Sequence, residues 1–85
     1  MRKFTHIIAD PLGLHARPAG MLVKAATAYE CAVTVETPRG KADAKRIMAL
    51  MRLAAKQGDM LTVICDGADE DSAADGMQIF LKENL

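Results

Sequence analysis

Eighty-five residues suffice for one domain with one modest core, expected to span residues 1–85. Eleven basic and eleven acidic side chains cancel, which argues against a general nucleic-acid binder, since such proteins carry a basic excess. Cys31 and Cys65 are too few for a disulfide framework or a closed zinc site, and no apolar run approaches membrane-spanning length. With no Trp, one Tyr and two Phe, the core must be built from Ala, Val, Ile, Leu and Met.

Met1 to His6 runs directly into a strand, with no stretch resembling a signal peptide. Phe4 to Ala9 alternates, placing Phe4, His6 and Ile8 on one side and Thr5, Ile7 and Ala9 on the other. His6 reads as structural or peripheral, because no Cys, Asp or second His stands at a ligand spacing from it. Asp10-Pro11-Leu12-Gly13 is turn chemistry. A helix is predicted from Ala16 to Ala28, with Pro18, Leu22, Ala25, Ala26 and Tyr29 as its buried stripe. Gly20 and Lys24 fall opposite, and Leu14 and Met21 are expected partly exposed.

Cys31 to Glu36 is the second strand, with Cys31, Val33 and Val35 on one face. Thr37-Pro38-Arg39-Gly40 turns, and Lys41 to Asp43 has length only for a short edge strand. Asp43 is the expected N-cap of a second helix over Ala44 to Lys56, with Ile47, Leu50 and Ala54 facing the core and Gly58 closing it. Met48 and Met51 are then left over, and an exposed pair of methionines makes an adaptable docking surface. Met60 to Asp66 alternates Leu61, Val63 and Cys65 against Met60, Thr62 and Ile64. Both cysteines lie in such strand-like runs and read as free, buried thiols of a reducing compartment. Asp69, Glu70 and Asp71 suit the first turn of a last helix, whose stripe is Ala73, Met77, Phe80 and Leu81. Gly76 inside it costs about 1 kcal/mol relative to Ala.

The order is β-α-β-β-α-β-α, which fits a four-stranded sheet covered by helices and leaves a ferredoxin-like arrangement equally open. The stretch that carries chemistry is Gly13-Leu14-His15-Ala16-Arg17-Pro18-Ala19. Gly13 permits a backbone angle other residues avoid, and Pro18 suits a first helical turn. His15 thus sits just before a helix whose first N–H groups lack intrahelical partners and favour an anion. Arg17 adds a fork of donors that matches phosphate oxygens. A neutral imidazole is a competent nucleophile near pH 7. On local chemistry this is either a capping or surface histidine or the seat of a transient phosphohistidine. The basic residues Arg17, Lys24, Arg39, Lys41, Lys45, Arg46 and Arg52 crowd the middle of the chain, which suits a phosphoryl group and an acidic protein partner.

The motif resembles the active-site signature of HPr, the histidine-containing phosphocarrier family of the bacterial phosphoenolpyruvate-dependent sugar phosphotransferase system. The resemblance continues through Gly40-Lys41-Ala42-Asp43-Ala44-Lys45, Ile47-Met48-Ala49-Leu50-Met51 and Gln57-Gly58, so it covers essentially the whole chain. It implies an α+β open-faced sandwich, a four-stranded antiparallel sheet with three helices on one face. If the strands follow the family order, Cys31 and Cys65 lie toward the same edge. With no signal-like stretch, membrane-spanning run, Walker loop or metal site in the sequence, a cytoplasmic protein with no cofactor, no metal and no membrane insertion is expected, and the resemblance implies a monomeric carrier rather than an enzyme. His15 would take a phosphoryl group on Nδ1 from enzyme I and pass it to a sugar-specific enzyme IIA. Arg17 would contact the phosphoryl oxygens, beside the N–H groups of Ala16 and Arg17. Met21, Lys24, Arg46, Ile47, Met48 and Met51 would form the docking surface. One departure stands out: the family's regulatory serine position is Arg46, so regulation by serine phosphorylation is not expected. A paralogue in a nitrogen-linked or dihydroxyacetone-kinase branch would show the same residues. A non-phosphorylated binding module would need neither His15 nor Arg17, and an RNA-binding sandwich would need sheet aromatics.

Overall fold

A computed structural model describes residues 1–85. Strand β1 (Arg2–Ile7) leads to helix α1 (Ala16–Thr27), then to the hairpin of β2 (Ala32–Thr37) and β3 (Gly40–Asp43). Helix α2 (Ile47–Arg52), strand β4 (Met60–Asp66) and helix α3 (Glu70–Asn84) follow. The sheet order is β1-β4-β2-β3 with every neighbouring pair antiparallel. Of the two arrangements open to the element order, this is the antiparallel open-faced sandwich, with the three helices on one face.

Alternation fixes which face is covered. Val33 and Val35 on β2 and Leu61, Val63 and Cys65 on β4 are buried, while Met60 and Ala32 face outward. They meet Leu22 and Ala26 of α1, Leu50 of α2, and Ala73, Met77 and Leu81 of α3 in one core. Phe4 packs against that core and His6 shares its side of β1, where His6 Nε2 is buried without a hydrogen-bond partner. Gly76 has a physical reason: the Tyr29 hydroxyl occupies the space where a side chain would begin. Cys31 and Cys65 are free and buried at the same end of the sheet, as the family order implied. Burial first, then a thiol hydrogen bond to Asp69, pushes the Cys31 thiol up to about 11, so neither cysteine offers a thiolate near neutrality. No helix is long and apolar enough to cross a membrane.

The second helix departs from its predicted form. It spans six residues instead of Ala44 to Lys56, and Arg46 rather than Asp43 stands at its N-cap. Asp43 Oδ1 instead accepts the Lys45 N–H at 2.9 Å, a local turn that occupies the carboxylate before the helix begins. At the other end Ala54 takes a positive φ of 50°, which stops the helix. The carbonyls released there are taken by Arg39, whose Nε and Nη2 donate to Leu53 and Ala54 at 3.0 Å each. Arg39 also pairs with Asp59. The core-facing side of α2 is accordingly different: Leu50 and the following Leu53 and Ala55 are buried, whereas Ile47 and Ala54 are exposed. Gly58 is no C-cap; it turns the chain into β4 and donates its N–H to Ile8 at 2.8 Å. Gly20 is not on the solvent side of α1 either, because Ile47 Cδ1 lies 3.7 Å from where its Cβ would stand.

Candidate functional site

The loop between β1 and α1 is held from two neighbouring segments. Ile8 exchanges backbone hydrogen bonds with Asp59 and Gly58, and the Gln57 side chain donates to the Ala9 carbonyl at 3.1 Å. The N–H groups of Ala9 and Asp10 donate to the backbone oxygen of Leu85 at the end of α3. Gly13 then closes the loop with a φ of 68° and its N–H on the Asp10 carbonyl at 2.9 Å. Only glycine fits there: the angle is left-handed, and an added Cβ would strike the Ala55 carbonyl oxygen and come within 2.9 Å of Lys56 Cα. Leu14, expected partly exposed, is instead 4% exposed, and its N–H donates to Ala55 at 2.9 Å. The segment after α2 folds back over it. A buried leucine one residue before the histidine therefore fixes where that histidine stands.

His15 is the N-cap of α1, in extended backbone conformation, with its carbonyl accepting the Ala19 N–H at 3.0 Å. Its side chain makes no capping hydrogen bond. The N–H groups of Ala16 and Arg17 find no acceptor in the protein, and Pro18 has none to offer. Two amide dipoles and the helix end are thus open to an anion beside the ring. No acidic residue occupies the first turn of α1 to compete.

An open recess of ≈ 250 Å³ lies over the histidine, lined by Asp10, His15, Arg17, Pro18, Met21, Glu83 and Asn84. His15, Arg17 and Met21 were all expected here from the sequence. Arg17 is exposed and forms no ion pair, leaving its guanidinium available. Three members were missed: Asp10, Glu83 and Asn84. Asp10 reads in the sequence as a turn residue, and its Oδ1 does accept the Leu12 N–H at 2.8 Å. Its other oxygen, Oδ2, lies 3.7 Å from His15 Nε2. Glu83 and Asn84 come from the far end of the chain, and nothing local in the sequence links them to residue 15.

The remaining expected residues do not line the recess. Ile47 packs toward Gly20, so α2 meets α1 one residue from Met21. Met21 (39% exposed), Ile47 (41%), Met48 (65%) and Met51 (36%) form an apolar surface across the two helices. Lys24 in the last turn of α1 and Arg46 before α2 are exposed cations on the same helices. Arg46 Nε stands 3.9 Å from Asp43 Oδ2, and its side chain remains 80% exposed. No group of three or more His, Cys, Asp or Glu side chains is arranged to hold a metal ion.

Comparison with known proteins shows the family and the fold. Residues 2–83 match the family model described as the PTS HPr component phosphorylation site. The chain is 43% identical over 76 residues to the phosphocarrier protein HPr of Lysinibacillus sphaericus, covering 89% of this chain and 86% of that one. It is 36% identical over 85 residues to HPr of Mycoplasma genitalium, covering 99% and 97%. Among solved structures, the histidine-containing phosphocarrier protein of a Mycoplasma superposes with a TM-score of 0.93 at 35% identity, over 96% of this chain and 93% of that one.

Proposed function

The chain belongs to the HPr family of phosphotransferase-system phosphocarriers, and on that premise we propose that His15 is its transient phosphoryl acceptor. The observation that carries the reading is the uncommitted helix end: the amides of Ala16 and Arg17 have no acceptor in the protein and directly follow an N-cap histidine. In the transfer, the Nδ1 lone pair forms a P–N bond while the bond from phosphorus to the donor's leaving group breaks. The proton on Nε2 stays where it is. The new phosphoryl oxygens then lie where an N-capping oxygen would, within reach of the Ala16 and Arg17 amides and the Arg17 guanidinium. Because the product is a P–N bond on an imidazole, reversal toward a second acceptor is chemically easy, which suits a carrier rather than a catalyst.

The donor is enzyme I and the acceptor a sugar-specific enzyme IIA, met by a monomer in the cytoplasm. Met21, Ile47, Met48 and Met51 supply adaptable apolar contact, with Lys24 and Arg46 as the charged rim. With Arg46 where a regulatory serine would stand, control by serine phosphorylation is absent.

The test is intact mass after incubation with phosphoenolpyruvate and enzyme I. Wild type and His6→Ala should each gain one phosphoryl group that mild acid removes and alkali does not. His15→Ala should gain none. Phosphate retained on His15→Ala would refute the assignment.

A further inference from the structure

We propose that Asp10 is a positioning residue for His15: its carboxylate stands on the Nε2 side of the ring, biases the ring proton toward that nitrogen and so leaves the lone pair on Nδ1. The inference rests on the phosphocarrier reading for its consequence, but not for its geometry. The two oxygens of the carboxylate have different tasks. Oδ1 accepts the Leu12 N–H at 2.8 Å, a turn that fixes the side chain's direction. Oδ2 is thereby left pointing at His15, 3.7 Å from Nε2. The backbone of Asp10 is fixed as well, its N–H on Leu85 and its carbonyl on the Gly13 N–H. The carboxylate is therefore set in place before any ligand arrives.

Such placement matters because a neutral imidazole has two tautomers, and only one is a nucleophile at Nδ1. A carboxylate beside Nε2 favours the form with hydrogen on that nitrogen. The same carboxylate faces the positive charge that appears on the ring once Nδ1 has bonded to phosphorus. At 3.7 Å, with the two side chains 35% and 27% exposed, the pair is a loose contact that orients more than it stabilises. The other charged groups around the recess are Arg17 from α1 and Glu83 from α3. Glu83 is the one competing anion.

The experiment uses Asp10→Asn, which retains an oxygen for the Leu12 N–H and turns an NH₂ donor toward Nε2. The donor should favour a lone pair on Nε2 and move hydrogen to Nδ1. Tautomer populations are read from the ring ¹⁵N shifts of His15 in the unphosphorylated protein at alkaline pH, where the ring is neutral. Wild type and Glu83→Gln should be mainly Nε2–H, and Asp10→Asn should shift toward Nδ1–H. The rate of phosphorylation by enzyme I should fall about tenfold in Asp10→Asn, the scale of losing the partner that orients a functional histidine. An unchanged tautomer ratio would overturn the proposal even if the rate fell, since the loss would then be structural. A shifted ratio with an unchanged rate would overturn it too, as would a Glu83→Gln protein that shifts as Asp10→Asn does. Should wild type take no phosphoryl group at all, the phosphocarrier reading fails, and the tautomer ratio alone decides whether Asp10 orients the ring.

Discussion

The two helices that flank the proposed site are built in opposite ways. α1 is twelve residues long, buries Pro18, Ala19, Leu22 and Ala26, and begins at a histidine held by a loop with backbone bonds to two other segments. α2 is six residues long, buries only Leu50, and shows Ile47, Met48 and Met51 to solvent. One is a rigid mount, which group transfer needs because a misplaced acceptor forfeits the gain from positioning. The other is a short apolar pad tied down by one buried side chain, which suits a surface that must fit different partners.

The largest effect expected from breaking that contrast is on stability. Leu50→Ala removes the only buried residue of α2 and should lower stability by about 2–5 kcal/mol. Met48→Ala, at a position 65% exposed two residues away, should stay within about 0.5 kcal/mol of wild type. Urea denaturation of both variants measures the difference. A large loss in Met48→Ala would mean that the pad is part of the core rather than a free surface.

A smaller effect concerns the far side of α1. The side chain of Asp69, the N-cap of α3, makes no capping bond to its own helix; its two carboxylate oxygens accept the N–H groups of Glu30 and Cys31 at 2.9 Å. Those bonds, that from Glu30 foremost, hold its pKa below the ordinary 3.8. A depressed folded-state value means that the contribution is present above the unfolded value and lost as pH falls through the folded one. Stability should therefore decline below about pH 4, and Asp69→Asn should flatten that acid limb. Acid titration of the folded fraction in the two proteins checks it, and identical limbs would remove Asp69 from the account.

Smallest is the effect of charge on the pad's rim. Arg46→Asp should slow phosphoryl transfer from enzyme I by a fewfold at low ionic strength and leave the fold intact, because the docking surface of enzyme I is acidic by family resemblance. The difference should vanish in high salt. Equal rates at low salt would make Arg46 a solvated replacement with no part in partner choice.

How far these features were legible in the sequence differs between the same two regions. α1 was predicted as Ala16 to Ala28 and ends at Thr27, because its apolar spacing, Pro18 and Gly13 are all local signals. β4 was predicted with the bounds Met60 to Asp66 that it has, by strict alternation. α2 was overextended at both ends. Its helical spacing from Ala44 to Lys56 is real, but Asp43 folds back on Lys45, and Arg39 takes the carbonyls of Leu53 and Ala54 from 14 and 15 residues away. No window of local sequence contains that competition. The site divided along the same line. His15, Arg17 and the amides between them follow from seven consecutive residues. Glu83 arrives only through the packing of α3, and the second oxygen of Asp10 shows its direction only once the turn is built. Leu14 was misplaced because its cover is the chain after α2, more than 40 residues on.

The central claim, that the start of α1 receives the phosphoryl group while α2 only docks, is tested most directly by backbone amide NMR of the protein before and after phosphorylation, with partners removed. The account predicts that the amide resonances of Ala16 and Arg17 move most, as new hydrogen-bond donors to a doubly charged group, while those of residues 47–52 stay near their original positions. Amides of α2 moving as far as these, or Ala16 and Arg17 staying still in a protein whose mass shows one phosphoryl group, would contradict it.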